Sequence, residues 1–134
     1  MLQRDYILEI VADFTESVAR AFKLAVEKKD PSACTDIEQQ IGELLDLDHK
    51  TALALAPDSL VTMMVLSGMG DSVASYVCWS LERLSKVYED MGNEDLAGAR
   101  HLQAQAVAGS FNCDVADVPT ELADIESELF PAGE

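Results

Sequence analysis

The stretch that decides the fold class is residues 5–29, with the sequence DYILEIVADFTESVARAFKLAVEKK. Its apolar side chains recur at intervals of three and four positions: Ile7, Val11, Phe14, Val18, Phe22 and Ala25. Because an α-helix turns once every 3.6 residues, this spacing places them on one stripe of a single long helix. Lys28 and Lys29 suit the negative end of its dipole. We therefore predict a helix over residues 5–29.

Helix-start and helix-stop residues predict further helices joined by short turns. Asp30 and Pro31 are typical of an N-cap and a first helical position, so a second helix should run antiparallel to the first and end near Leu45. A short helix is expected over residues 51–55. Pro57 should start another that Gly68 ends. That helix has almost no polar face, which means that it is either central in the core or covered by a partner.

The second half of the chain continues the pattern. Asp71 or Ser72 can cap a helix whose apolar stripe extends to Gly92, and Asn93 can cap the next one. That next helix has a seam of small residues at Ala97, Ala104 and Ala108, and a last helix should start at residues 117–119 and end at Pro131. The sequence predicts an all-α fold of antiparallel helix hairpins, a bundle of six to seven helices in one domain over residues 1–134.

Composition and charge limit the functional classes. The chain has 134 residues, 49% of them hydrophobic, and a formal net charge of −16. A negative field of this size repels phosphate groups, so nucleic-acid and membrane-surface roles are disfavoured. Acids on solvated helix faces explain the charge, and a basic partner or a divalent cation is the alternative. The widely spaced Cys34, Cys78 and Cys113 suggest buried free thiols, and without an apolar leader we expect a cytoplasmic protein.

The residues capable of chemistry form no recognisable catalytic set. Asp46, Asp48 and His49 stand together and could suggest a metal site, but a turn whose acids cap the next helix is commoner. His101 should pack within a helix pair. The two histidines form no nameable catalytic triad, and no glycine-rich phosphate loop is present. We therefore predict no catalytic residue, no cofactor and no metal ligand.

Five side chains are candidates for contact with a partner: Phe14, Met63, Met64, Met69 and Trp79. Methionine fills irregular gaps in a core but also suits adaptable binding surfaces, and tryptophan is enriched at interfaces. Trp79 points off the main stripe of its helix. It either packs beneath the helix that carries Met63 and Met64 or marks a contact patch.

Residues 81–104 resemble a tetratricopeptide repeat, with the matching positions Leu81, Leu84, Tyr88, Gly92, Ala97 and Ala104. The motif usually has glycine where Ser85 stands and a large aromatic residue where His101 stands. The chain as a whole resembles a family of small bacterial helical proteins. The likeness rests on the opening MLQRDY at residues 1–6, LDLD at 45–48 and LAPDSL at 55–60. This resemblance implies the fold and no activity.

Three functions remain open on these observations. The leading hypothesis is a non-enzymatic protein–protein interaction module, with a homodimer formed through the long first helix or the Met-rich segment and other partners unknown. The second is a small-molecule-binding or enzymatic bundle with a pocket lined by Tyr88, His101 and Trp79. The third, based on charge alone, is an acidic partner of a basic protein, similar to an antitoxin or a secretion chaperone.

Overall fold

The computed structural model describes residues 2–68 and 70–131, and side chains from residue 5 onward. Seven α-helices and one 3-10 turn occur in these ranges, and no strand does. In chain order the elements are α1 (Leu2–Glu27), α2 (Pro31–Leu45), α3 (His49–Ala54), α4 (Pro57–Ser67), α5 (Gly70–Asp90), α6 (Glu94–Ser110), the 3-10 turn (Thr120–Leu122) and α7 (Ala123–Leu129). The predicted all-α bundle of six to seven helices is confirmed.

The helix ends mostly follow the predicted signals. The side chains of Asp30, Asp48 and Asn93 each accept a hydrogen bond from a backbone N–H in the first turn of α2, α3 and α6. Gly68 and Gly92 adopt left-handed backbone angles, with φ of 76° and 82°, after α4 and α5. Glycine accepts this conformation because it has no Cβ to clash with the carbonyl.

Four helix starts differ from the prediction, and two of these, α1 at Leu2 and α3 at His49, are only earlier than expected by three and two residues. α5 begins at Gly70, so Asp71 lies inside its first turn instead of capping it. The last helical segment begins only at Thr120, because Asp117 is used in a turn: its carboxylate accepts a hydrogen bond from the Asp114 N–H at 3.0 Å. Val118 is exposed as a result.

α5 lies at the centre of the packing and contacts α1, α2, α4 and α6. α1 and α2 cover one side of it and α6 covers another. Five members of its predicted apolar stripe are buried, namely Val73, Val77, Leu81, Leu84 and Tyr88, and so are Ala74, Cys78, Trp79 and Val87. The contact between α5 and α6 is the most extensive in the protein, which fits the small residues Ala97 and Ala104 at the seam.

A buried arginine connects four of the helices. Arg100 of α6 is 6% exposed, and its guanidinium donates to Glu38 of α2 at 3.1 and 3.2 Å and to the Leu53 carbonyl oxygen at 3.0 Å. Tyr88 of α5 donates its hydroxyl to the same Glu38 oxygen at 2.6 Å. Gln103 donates to the carbonyl oxygens of Leu53 and Leu55, both at 3.1 Å, and so satisfies the end of α3.

α3 lies close against α2 because residue 42 has no side chain. A Cβ placed at Gly42 would lie 2.8 Å from both the Cβ of His49 and the carbonyl oxygen of Leu47. Atoms at that separation overlap, and the backbone that follows α2 would have to move. By contrast, a Cβ added at Gly98, on the exposed side of α6, would meet nothing within 4 Å.

We predict opposite effects for alanine at these two glycines. Gly42→Ala should lower the free energy of unfolding by about 2 kcal/mol through overpacking. Gly98→Ala should raise it by about 0.5–1 kcal/mol, since alanine loses less backbone entropy than glycine in a helix. Urea denaturation followed by circular dichroism measures both. Equal stabilisation by the two substitutions would contradict the close approach of α3 to α2.

A second prediction concerns the Arg100 network. Glu38→Ala should lower the free energy of unfolding by about 3 kcal/mol, because it leaves the buried guanidinium of Arg100 without its counter-charge. Tyr88→Phe removes one hydrogen bond and keeps the ring, so it should cost only about 1 kcal/mol. The same urea titration serves as the measurement. A loss on Glu38→Ala no larger than that on Tyr88→Phe would show that Arg100 finds another partner.

Candidate interaction site

The outward face of α4, defined as Met63, Val65 and Leu66, is apolar and uncovered in the chain. These side chains are 37%, 59% and 74% exposed, while Leu60 and Met64 on the opposite side are fully buried. α4 packs on α5 and α6 from one side only. One face of α4 is therefore part of the hydrophobic core, and the other face is exposed to solvent.

Few charged side chains lie near the α4 face in sequence: Asp58 is in the first turn of α4, and Asp71 lines a shallow groove together with Val65. Residues 59–70 contain no acid or base, in a chain whose net charge is −16. A cluster of exposed apolar side chains is typical of a contact site, whereas isolated ones are ordinary features of a protein surface. The α4 face is therefore an apolar patch with an acid at each end, Asp58 and Asp71.

The structure corrects three of the five predicted contact residues. Phe14, Met64 and Trp79 are all buried in the core and have no surface to offer a partner. Phe14 lies beside Leu44 at the α1–α2 contact, and Met64 faces α5 and α6 because it lies one turn beyond Leu60 on the inner side of α4. Met63 is exposed as the prediction requires, and Met69 lies outside the described residues.

A second uncovered apolar surface lies at the start of α1. α1 has 26 residues and α2 has 15, so the first turns of α1 extend beyond the end of α2 by about 16 Å at the standard helical rise. Tyr6 and Leu8 are exposed there, and the first buried side chain described in α1 is Val11. This end is the part of the long first helix that a partner can reach.

Trp79 is covered by the C-terminal segment, defined as residues 114–131, and not by α4. The Trp79 ring packs edge-on against Phe22 and Phe130, with centroid distances of 5.1 and 6.4 Å. Its indole N–H donates to Glu126 at 2.9 Å. The prediction that Trp79 packs beneath the Met63/Met64 helix is therefore wrong, because α1 and the C-terminal segment enclose the ring.

Glu126 is also the partner of a buried arginine. Arg83 is 5% exposed and donates to both carboxylate oxygens of Glu126, at 2.7 and 3.2 Å, and to the Val115 carbonyl oxygen at 3.1 Å. Two further contacts hold the segment: Tyr76 donates to Glu121 at 2.9 Å, and Lys23 pairs with Glu128 at 3.3 Å on the surface. The sequence did not point to Arg83 and Glu126, because a charged residue on a helix is usually exposed to solvent.

The predicted pocket around Tyr88, His101 and Trp79 is not formed. Trp79 and Tyr88 are nine residues apart on α5, which places them on opposite sides of the helix, and they bond to different carboxylates. His101 pairs with Glu82 at 2.7 Å in a shallow groove between α5 and α6. These three side chains therefore do not converge on a common ligand.

The thiols and the acidic turn show no reactive arrangement. Burial is the main cause that raises the pKa of Cys34 to about 11 and that of Cys78 to about 12, so both thiols stay protonated near neutral pH. Asp48 caps α3. This agrees with helix capping, the interpretation that the sequence favoured over a metal site. Its hydrogen bonds from Thr51 lower the pKa of the carboxyl group. No group of three or more His, Cys, Asp or Glu side chains within residues 2–68 and 70–131 is arranged to hold a metal ion.

Comparison with known proteins adds no assignment. The chain matches no protein-family model, and neither a curated protein nor a solved structure is significantly similar to it. Among the helices of the described chain, none is both long enough and apolar enough to cross a membrane. The interaction surfaces above are thus defined by the structure of this chain alone.

We predict that Glu126 holds the C-terminal segment in place and that Glu128 does not. Glu126→Ala leaves Arg83 and the Trp79 indole unpaired, which should make cleavage of the segment by a glutamyl endopeptidase about 100-fold faster, equivalent to about 3 kcal/mol of local stability. Emission of Trp79, the only tryptophan, should shift to the red.

Glu128→Ala is the matched control, because it removes one glutamate of the same segment and breaks only the exposed pair with Lys23. Such pairs contribute at most about 1 kcal/mol. Cleavage should change by less than about fivefold and the emission should stay unchanged. Similar cleavage rates for the two variants would show that the buried pair does not anchor the segment.

Proposed function

We propose that this protein is a non-enzymatic protein–protein interaction module that forms a homodimer through the outward face of α4. The observation that carries the proposal is the exposure of Met63, Val65 and Leu66 on a helix whose other face is core. Covering apolar surface is the main favourable contribution to most protein association. A helix that presents such a face to a groove or to a second helix is a common recognition mode.

Charge favours a second copy at this face over association elsewhere. Two molecules that each carry a net charge of −16 repel one another, and an acid buried against an acid would add a desolvation cost. A contact centred on the uncharged side chains Met63, Val65 and Leu66 reduces that cost. In a symmetric pair the same face is used twice, so no basic counterpart is needed.

The wider assignment follows the resemblance of the sequence. We propose that the α5–α6 hairpin is of tetratricopeptide type and that the protein belongs to the small bacterial helical family that it resembles. We place it in the cytoplasm, where the three thiols would remain reduced. Its role would be to join proteins, with the dimer as the working unit.

Leu66→Asp tests the dimer. In a two-fold contact the substitution enters twice, and losing the burial of each leucine costs about 1.5 kcal/mol, so the dissociation constant should rise more than about 100-fold. Light scattering over a concentration series should show the wild type at twice the monomer mass and Leu66→Asp at the monomer mass.

Leu102→Asp is the control, because Leu102 is a separate exposed leucine of similar chemistry on α6. This variant should dimerise as the wild type does. Leu8→Asp addresses the exposed end of α1. Loss of the dimer on Leu8→Asp with no effect of Leu66→Asp would overturn the α4 face as the contact, and a monomeric wild type would overturn self-association itself.

A further inference from the structure

We infer that the site occupied by Glu126 and Phe130 is a receptor for the C-terminal segment of a second copy, so that the two subunits of the dimer exchange these segments. The inference rests on the self-association proposed above. It names a second contact between the subunits, on a different part of the molecule from the α4 face.

The chemistry of the receptor site selects an acidic segment. Every side chain that bonds to the segment through a polar atom is a donor: Arg83, Trp79, Tyr76 and Lys23. Arg83 is buried and offers two parallel N–H groups, which match the two oxygens of a carboxylate. Phe22 and Trp79 provide an apolar wall beside these donors.

The segment that fits this site belongs to the chain itself. Residues 114–131 contain six acids and no base. Glu126 and Phe130 are four residues apart, so one turn of α7 presents a carboxylate to Arg83 and a ring to the aromatic wall. A second copy carries the same pair of side chains and meets the same chemical requirements.

The segment places few fully buried side chains on the helices beneath it. Leu122 is its only fully buried side chain among the described residues, and α7 has none. Its other contacts are carboxylate bonds, those of Glu121 and Glu128 at exposed carboxylates, and partly buried apolar side chains: Val115, Ile125, Leu129 and Phe130. Such a unit opens at a lower free energy than the core formed by α1, α2, α5 and α6.

The connection to the segment starts beside the proposed dimer contact. α6 ends at Ser110, and the ring of Phe111 packs on Gly70 at the start of α5. Phe111 and Val65 of the α4 face line the same shallow groove. When two copies meet through α4, the connection at residues 111–113 of each copy therefore lies close to the other subunit. Exchange of identical elements between subunits joined in this way needs no new contacts.

Charge reversal in separate copies tests the exchange. Arg83→Glu places two carboxylates together and Glu126→Arg places two guanidinium groups together, whether the segment lies on its own subunit or on an identical one. In a mixed dimer with exchange, Arg83 of one subunit meets the native Glu126 of the other, and the two reversed charges meet at the second site. The equimolar mixture should melt about 10 °C above either variant alone.

Melting of the mixture as the plain sum of its two components would overturn the exchange. Because Arg83 is buried and its reversal can prevent folding, a second measurement uses the wild type. Dimers reassembled from ¹³C-labelled and unlabelled chains should show nuclear Overhauser contacts between Trp79 of one chain and Phe130 of the other, since the two rings are 6.4 Å apart. A dimer with contacts only within chains would overturn the exchange and leave the proposed function standing, whereas a monomer would overturn both.

Discussion

The burial of α5 on almost every side is the constraint on which the rest of the structure depends. An amphipathic helix has one apolar face to bury against its neighbours. α5 instead buries side chains all around its axis, including Arg83 and Ser80. α1, α2, α4 and α6 cover only part of that surface. The remaining part, which contains Trp79, is enclosed by the C-terminal segment. The C-terminal segment thus completes the enclosure of α5.

The two buried arginines are what allow polar surfaces to close this core. A buried guanidinium is costly unless a carboxylate and further acceptors satisfy it. Arg100 has Glu38 with two additional oxygens, and Arg83 has Glu126 with the Val115 carbonyl oxygen. The chain has only nine bases. Two of them are used inside the protein, which leaves the surface still more acidic.

Local rules predicted the helices well and predicted the surfaces poorly. The apolar period of α1 and the caps Asp30 and Asn93 depend on neighbours within a few residues, and the structure follows them closely. Whether Met64 or Met63 faces solvent depends on which side of α4 meets α6. The pair of Glu126 with Arg83 spans 43 residues. No periodicity within one segment contains that information, so Phe14, Met64 and Trp79 were placed on a surface that the assembled core occupies.

The ion pair between Glu38 and Arg100 joins positions 62 residues apart, and this separation has a consequence during synthesis. α1 and α2 leave the ribosome before α6 does. Until α6 follows, the apolar stripe of this hairpin and the carboxylate of Glu38 are exposed to water. Domains assemble from their amino-terminal parts as translation proceeds, and uncovered apolar surface at that point attracts chaperones. The core therefore cannot be completed until α6, which carries Arg100, has been synthesised.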